Sequence, residues 1–399
     1  MIVRQFYFFI KDNLGWVSTP VTLFILQFLI GGIPHLPQFF MYVSLVLSAL
    51  YLLLDKNVRF DNRWLLFLIY IPFTIILANP DPIFNSPLRY VLFATLMISA
   101  SSLLNSERAR MFRRKCLNLI GIFASIISSG SFFCYFLGIN FFKNRYDEGY
   151  YDVSLVGRFS GLTTHSMYLG PLAGLAMVFL FYYASVKRKK VLWPLIICCA
   201  GSAFFSASRG AIIAAVAGFL MVLYYTAKSK KDFINKIIRL VILLVLVFPL
   251  WGGALNGVIS KQNSRIDEAG VFDSRTEKVE ARIFEFQNSP IYGVGFSAID
   301  RKGVDKCLSN GTIEPGSSWL AILSQTGIVG LMIVLMLFKK SFDNCRYSMD
   351  SYRVCLLGML VFFSVHMLVE GYIFAGGNPI TFMAWLVVGN CYDCYYRVG

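Results

Sequence analysis

The chain has 399 residues, of which 57% are apolar and only 15% charged, with a mean hydropathy of +0.62. About a quarter of the residues in an ordinary soluble domain are charged, so composition excludes a soluble globular enzyme, a secreted disulfide scaffold and a disordered chain. The formal net charge of +15 would point to nucleic acid in a soluble protein, but in a membrane protein it first reports which loops face the cytoplasm.

Apolar runs of about 17 residues or more read as helices that cross a bilayer. In chain order they fall at 15–33, 38–54, 64–79, 88–104, 116–139, 166–184, 191–206, 210–226, 238–257, 318–338, 354–375 and 379–391. The pattern predicts an all-α polytopic integral membrane protein with about twelve transmembrane helices, a single transmembrane domain over 1–399. The last run is short, and several carry Gly or Pro, which bilayer helices tolerate. No cleavable signal peptide is expected, and the first helix is predicted to stay as a signal anchor.

Alternate loops differ sharply in charge. One set, made of 4–12, 55–63, 107–115, 187–190, 228–236, 339–353 and 393–397, holds 23 cations and 8 acids. The opposite set is close to neutral. Short cytoplasmic loops collect Lys and Arg, so the basic set and both termini are predicted to be cytoplasmic. The charge then reports topology, and no nucleic-acid partner is expected; the membrane lipid is the expected surroundings. The nine cysteines are scattered and read as free thiols, with a Cys134–Cys307 bridge as the alternative. Cys391-x-x-Cys394 has no second pair in the sequence to complete a zinc site.

Two loops on the opposite side are long, at 140–165 and 258–317. The second precedes the tenth span and contains a short predicted helix near 274–287. Ser274 and Glu277 there form a capping box, and Val279, Ile283 and Phe286 form one apolar stripe. Four elements on this side carry polar chemistry. Arg158, Thr163, Thr164 and His165 stand where a loop enters a helix. Arg209 lies in the tight turn Ser206-Ala-Ser-Arg-Gly210. Arg275 and Arg282 lie on the loop helix. Glu370 lies at the outer end of a span, with His366 one turn before it.

Each has a bland reading. Arg209 could be an interfacial anchor, Arg158, Arg275 and Arg282 solvated charges, His165 a polar helix start, and His366 a packed side chain. Glu370 is harder to dismiss, because a carboxylate within a span needs a partner. Taken together, arginines gathered at one interface suit a lipid pyrophosphate, since guanidinium contacts phosphate in a bidentate manner. No HExxH, Walker A, GxSxG or GxGxxG pattern occurs, so no cofactor and no metal are expected.

The turn SASRGAII, the stretch SRTEKVEARIFEFQNSPIYGVG, the segment SSWLAILSQTGIVGLM and GRFSGLTTHSMYLGP together resemble the bacterial O-antigen polymerase (Wzy) and O-antigen ligase (WaaL) superfamily, over about 155–338. The resemblance implies a membrane glycosyltransferase of the GT-C type in the bacterial inner membrane. Its donor and acceptor would be oligosaccharides linked to undecaprenyl pyrophosphate, and its partners a chain-length regulator and a flippase. It assigns Arg209 and Arg275 to the pyrophosphate, with Arg158 and Arg282 as neighbouring cations. The ligases carry a histidine where Gly316 stands in Glu-Pro-Gly-Ser-Ser-Trp319, a departure that favours the polymerase. His165, Glu314 and Glu370 are then the candidate bases for a metal-independent transfer. The rivals are a ligase that transfers glycan to lipid A core or protein, and a flippase or transporter. No half-to-half similarity supports a transporter.

Overall fold

The computed structural model describes residues 15–141, 159–247, 273–300, 313 and 315–394. A helix forms on each of the twelve apolar runs. They are α1 Gly15–Leu26, α2 Gln38–Leu53, α3 Asn62–Ala78, α4 Ser86–Ala100, α5 Glu107–Phe136, α6 Ser166–Ser185, α7 Trp193–Phe205, α8 Arg209–Thr226 and α9 Lys230–Val247. After the loop helix α10 Asp273–Asn288 come α11 Ser318–Tyr347, α12 Arg353–His366 and α13 Pro379–Tyr392. A short antiparallel pair, β1 Arg59–Phe60 with β2 Leu104–Asn105, joins two loops. Among the described residues, five helices are long and apolar enough to cross a membrane by length and composition, and six shorter apolar helices accompany them. Apolar side chains such as Ile76, Ile126, Ile213 and Met332 stand exposed around the bundle, as a lipid-facing surface requires. The chain is thus an all-α membrane protein.

Several helix ends differ from the apolar runs, each for a local reason. The first run stops as α-helix at Leu26 and continues as a 3-10 turn, Gln27–Leu29. Ile30 then bridges Thr163, and the Gly31 amide donates to the Leu162 carbonyl at 2.8 Å. α5 begins nine residues before its apolar run, because Ser106 caps it through the Ala109 amide and the basic stretch 107–115 is helical. The eleventh run ends as helix at His366, so Glu370 lies on an irregular segment beyond the helix.

Close packing, rather than water exclusion, holds helices together in lipid. α8 and α12 touch backbone to backbone: a methyl group on Gly218 would lie 2.6 Å from the Gly358 carbonyl oxygen. α13, the shortest predicted run, is buried along its whole length. Trp385 at its centre meets Trp64 of α3 edge-on at 5.8 Å and lies 6.2 Å from both Phe93 of α4 and Phe338 of α11. A helix apolar on every side belongs inside a protein, and there a short helix need not match the bilayer.

The basic loops share one end of the bundle. Arg113 forms a bidentate pair with Asp393 at 2.8 and 2.9 Å, both fully buried, and also donates to the Ser101 and Leu104 carbonyls. Arg114 pairs with Asp350 and Arg108 with Asp55, while Arg63 donates to the Tyr392 hydroxyl. The charged residues among these belong to the loops predicted to be cytoplasmic. The eight described cysteines are free thiols. Folding brings Cys345 to 3.8 Å from Cys394, a neighbour the spacing did not announce. Cys307 lies outside the described residues.

Candidate active site on the loop face

The opposite end of the bundle carries the long loops, and it gathers the elements singled out above. α8 begins at Arg209 after a tight turn in which Ala207 is left-handed, with φ of 51°. Ser206 closes that turn through its hydroxyl, which donates to the Ala203 carbonyl at 2.7 Å. Ser208, the residue before the helix, makes no side-chain cap. The first turn of α8 therefore presents backbone N–H groups beside an exposed arginine, a combination that favours an anion.

Close contacts link this turn to its neighbours. A methyl group on Gly170 of α6 would stand 2.6 Å from Ser208 Cβ, and one on Gly210 would stand 2.3 Å from Val369 Cγ2. One on Gly371 would meet Pro315 Cγ at 2.4 Å, and one on Gly316 would meet Lys278 Cβ of α10 at 3.1 Å. So the starts of α6 and α8, the strip 369–371, the entry to α11 and the loop helix form one continuous patch. Ser318 is its knot. Its amide donates to the Met367 and Glu370 carbonyls at 2.9 and 3.0 Å. Its hydroxyl donates to the Glu370 carbonyl at 2.6 Å and accepts from the Tyr372 amide at 3.0 Å. Glu370 is thereby fixed at the patch, half-buried.

His165 is the residue that precedes α6, and its Nδ1 accepts from the Met167 amide at 3.0 Å. An imidazole whose Nδ1 accepts carries its proton on Nε2. Protonating the ring would take the lone pair that caps the helix. In this geometry the Nδ1 lone pair of His165 is engaged in capping α6.

Arg282 is placed otherwise than as a solvated charge. Its guanidinium is buried and pairs with Glu285 at 2.8 Å, one turn along α10. The same carboxylate oxygen accepts from the Asp300 amide at 2.8 Å. The pair ties the loop helix to the segment that follows it and is not a solvated face. The stripe runs the other way as well: Val279 and Ile283 are exposed, while Ala281, Arg282 and Glu285 face inward. Arg275 lies in the first turn of α10, with its side chain outside the described residues, as are Ser274, Arg158 and Glu314. His366 is a packed histidine, stacked on Phe362 at 5.6 Å with Nδ1 3.1 Å from the Tyr372 hydroxyl.

Sequence reasoning took Ser318 only as part of the Glu-Pro-Gly-Ser-Ser-Trp319 segment and passed over Lys278. Ser318 acts through partners some fifty residues away, which no local pattern reveals. Lys278 matters only because Gly316 leaves room for its stem.

Residues 194–335 match the family model described as O-antigen ligase. The matched region runs from α7 to the middle of α11 and includes Arg209, Arg275 and Ser318. No curated protein matches the chain.

Proposed function

From the match of residues 194–335 to the O-antigen ligase family model, we propose that the chain is a member of the O-antigen polymerase and ligase superfamily and a polysaccharide polymerase that joins repeat units carried on undecaprenyl pyrophosphate. It would work at the outer face of the bacterial inner membrane, with both termini in the cytoplasm and a GT-C-like arrangement of about twelve crossings. The observation that carries the reading is the start of α8: uncapped N–H groups and an exposed Arg209 against the strip that bears Glu370.

In this reading the pyrophosphate of the donor rests on Arg209, the first turn of α8 and Arg275. A hydroxyl of the acceptor repeat unit attacks C1 of the donor sugar. The new glycosidic C–O bond forms as the bond from C1 to the pyrophosphate oxygen breaks, and undecaprenyl pyrophosphate leaves with the electron pair. Fixed positive charge is most effective where charge develops in the transition state. The hydroxyl proton passes to a carboxylate, Glu370 or Glu314. His165, donating through Nε2, suits a phosphate oxygen better than a proton. No divalent metal is invoked, so activity should persist in EDTA.

One observation favours a second reading, transfer of the finished glycan to lipid A core or protein: the matching family model is described as a ligase. Gly316, at the place of the ligase histidine, favours the polymerase. Surface glycan from a deletion strain separates the two. A single repeat unit on the surface supports the polymerase, whereas loss of all surface attachment with polymer retained on the carrier lipid supports the ligase.

A further inference from the structure

The end of the bundle opposite the loop face carries chemistry that the site does not use. Residues 346–353, where α11 ends and α12 begins, have an arginine at each end. The segment folds back on itself. The Arg353 amide donates to the Asp350 carbonyl at 3.0 Å and the Tyr352 amide to Asp350 Oδ1 at 2.9 Å, while the Arg353 guanidinium donates to the Arg346 carbonyl. The two arginines therefore meet beside one side chain. The Arg353 guanidinium lies 6.0 Å from the ring centre of Tyr225, near the end of α8, and Arg346 is within electrostatic reach of the same tyrosine. Lys187, just after α6, borders the pair, its Nζ donating to Ser351 Oγ at 3.3 Å.

The carboxylates of the flanking segments are engaged by other cations: Asp350 by Arg114 at 2.6 Å, Asp232 by Lys236 at 3.0 Å and Asp343 by Lys339 at 3.1 Å. Among the described residues neither Arg346 nor Arg353 has a carboxylate partner. Like charges held side by side repel, and a bound anion offsets that repulsion. Guanidinium suits phosphate, which it contacts in a bidentate manner.

The surroundings select which phosphate. Tyr224, Tyr347 and Met349 stand exposed around the pair, and tyrosine collects at the head-group level of a bilayer. From there an apolar stripe runs up one face of α8, with Tyr224, Val216 and Ile213 all exposed. Cations at one end of an apolar track match the head group and chain of a lipid, and basic pockets between membrane helices hold anionic head groups. We propose that Arg346 and Arg353, bordered by Lys187, hold the phosphodiester head group of an anionic phospholipid whose acyl chain lies on the α8 stripe. The inference rests on the bundle lying in a membrane and is independent of the reading of the chain as a polymerase.

The test uses the full-length protein, purified in detergent and stripped of lipid. The probes are dioleoylphosphatidylglycerol and its zwitterionic counterpart dioleoylphosphatidylcholine, with binding read by native mass spectrometry. Arg346 is exposed and its guanidinium faces only Tyr347, at 5.4 Å, so Arg346→Gln should melt as the wild type does. Wild type should bind phosphatidylglycerol at least tenfold more tightly than phosphatidylcholine. Arg346→Gln should weaken phosphatidylglycerol severalfold, and Arg346→Gln with Arg353→Gln at least tenfold. If the double variant melts lower, the single variant carries the test. Lys56→Gln with Lys339→Gln removes two charges elsewhere at the same end and should bind as wild type does. An equal loss in that control reduces the effect to net charge and overturns the site, as does a wild type without preference between the two lipids. A wild type that binds inorganic phosphate or a glutamate-rich peptide at the pair, but not phosphatidylglycerol, overturns the lipid. None of these outcomes touches the polymerase reading, which fails separately if Arg209→Ala makes polymer of normal length.

Discussion

Gly327 and Ile291 stand backbone to backbone: a methyl group on Gly327 would lie 2.2 Å from the Ile291 carbonyl oxygen. At Gly327 the long helix α11 breaks, with φ of 65° and ψ of −171°. A break in a membrane helix leaves amides and carbonyls that must find partners within the protein. The turn after α10 and Tyr70 of α3 supply them. The Ile328 amide donates to the Pro290 carbonyl at 2.8 Å, the Val294 amide to the Ser324 carbonyl at 2.9 Å, and the Tyr70 hydroxyl to the Thr326 carbonyl at 2.8 Å. The loop helix is thus keyed into the bundle by a glycine that only its partner turn explains.

Gly327→Ala should therefore be severe. The φ and ψ of Gly327 fall in a region open essentially to glycine alone, where a non-Gly residue costs about 1–3 kcal/mol, and the clash with Ile291 adds to it. Gly138 also has a positive φ, 69°, but a methyl group there would meet nothing within 4 Å, so Gly138→Ala is the control without a clash and should cost less. Melting in detergent compares the two. Equal shifts would mean that the turn does not seal the break.

The buried Arg113–Asp393 pair fastens the end of α13 to the start of α5. Removing one partner from a buried pair strands the other charge and costs about 3–5 kcal/mol. Arg113→Ala should lower protein abundance strongly, and Arg113→Met with Asp393→Leu should recover much of it. Abundance in membranes, by immunoblot, reads this. A single variant as abundant as the double would contradict a charge-stranding penalty.

Topology follows from the same end of the bundle. Alkaline phosphatase fused after Asp300 should be active and fused after Lys230 inactive, since the basic end is expected in the cytoplasm. The reverse pattern would move every proposed site residue to the wrong side of the membrane.

Much of the fold was legible because lipid demands long apolar runs: each run from 15–33 to 379–391 carries a helix. Misread ends have physical causes. Charges at 107–115 hid the first turns of α5, and the apolar sequence after His366 continues without helical backbone because Ser318 holds it through the Met367 and Glu370 carbonyls. At the site, Arg209 and Glu370 were recognisable from the strangeness of charge beside apolar spans. Arg282 was not, because whether a charge on an amphipathic helix faces water or a buried Glu285 depends on tertiary packing. The α10 stripe misled for the same reason: Ile283 is exposed while Ala281 and Arg282 are buried.

Arg209 and Arg282 should part in their effects. Arg209→Ala should abolish polymer with protein abundance nearly unchanged, and Arg209→Lys should restore only part, because a point charge loses the bidentate contact. Arg282→Ala should instead reduce abundance, since it strands buried Glu285. Chain-length profiles on gels, normalised to protein level, separate loss of site from loss of fold. If Arg209→Ala destabilises the protein as much as Arg282→Ala does, Arg209 is a structural anchor.

His165 offers the sharpest contrast between a base and a cap. As a base it would be irreplaceable by a side chain that cannot take a proton, and the rate would fall below a pH near 6.5, the ordinary imidazole value. As a cap and donor it has a substitute. Asn is among the best residues at this position, and its amide also donates. His165→Asn should then keep the in vitro polymerisation rate within tenfold of wild type, about 1.4 kcal/mol of barrier, with no histidine-type inflection lost from the pH profile. His165→Ala should lose about 1 kcal/mol of stability with the cap and fall further in rate, because α6 carries the Gly170 contact that positions the Arg209 turn. A hundredfold loss in His165→Asn, with normal melting, would return the proton to His165 and make the Met167 cap an incidental resting contact.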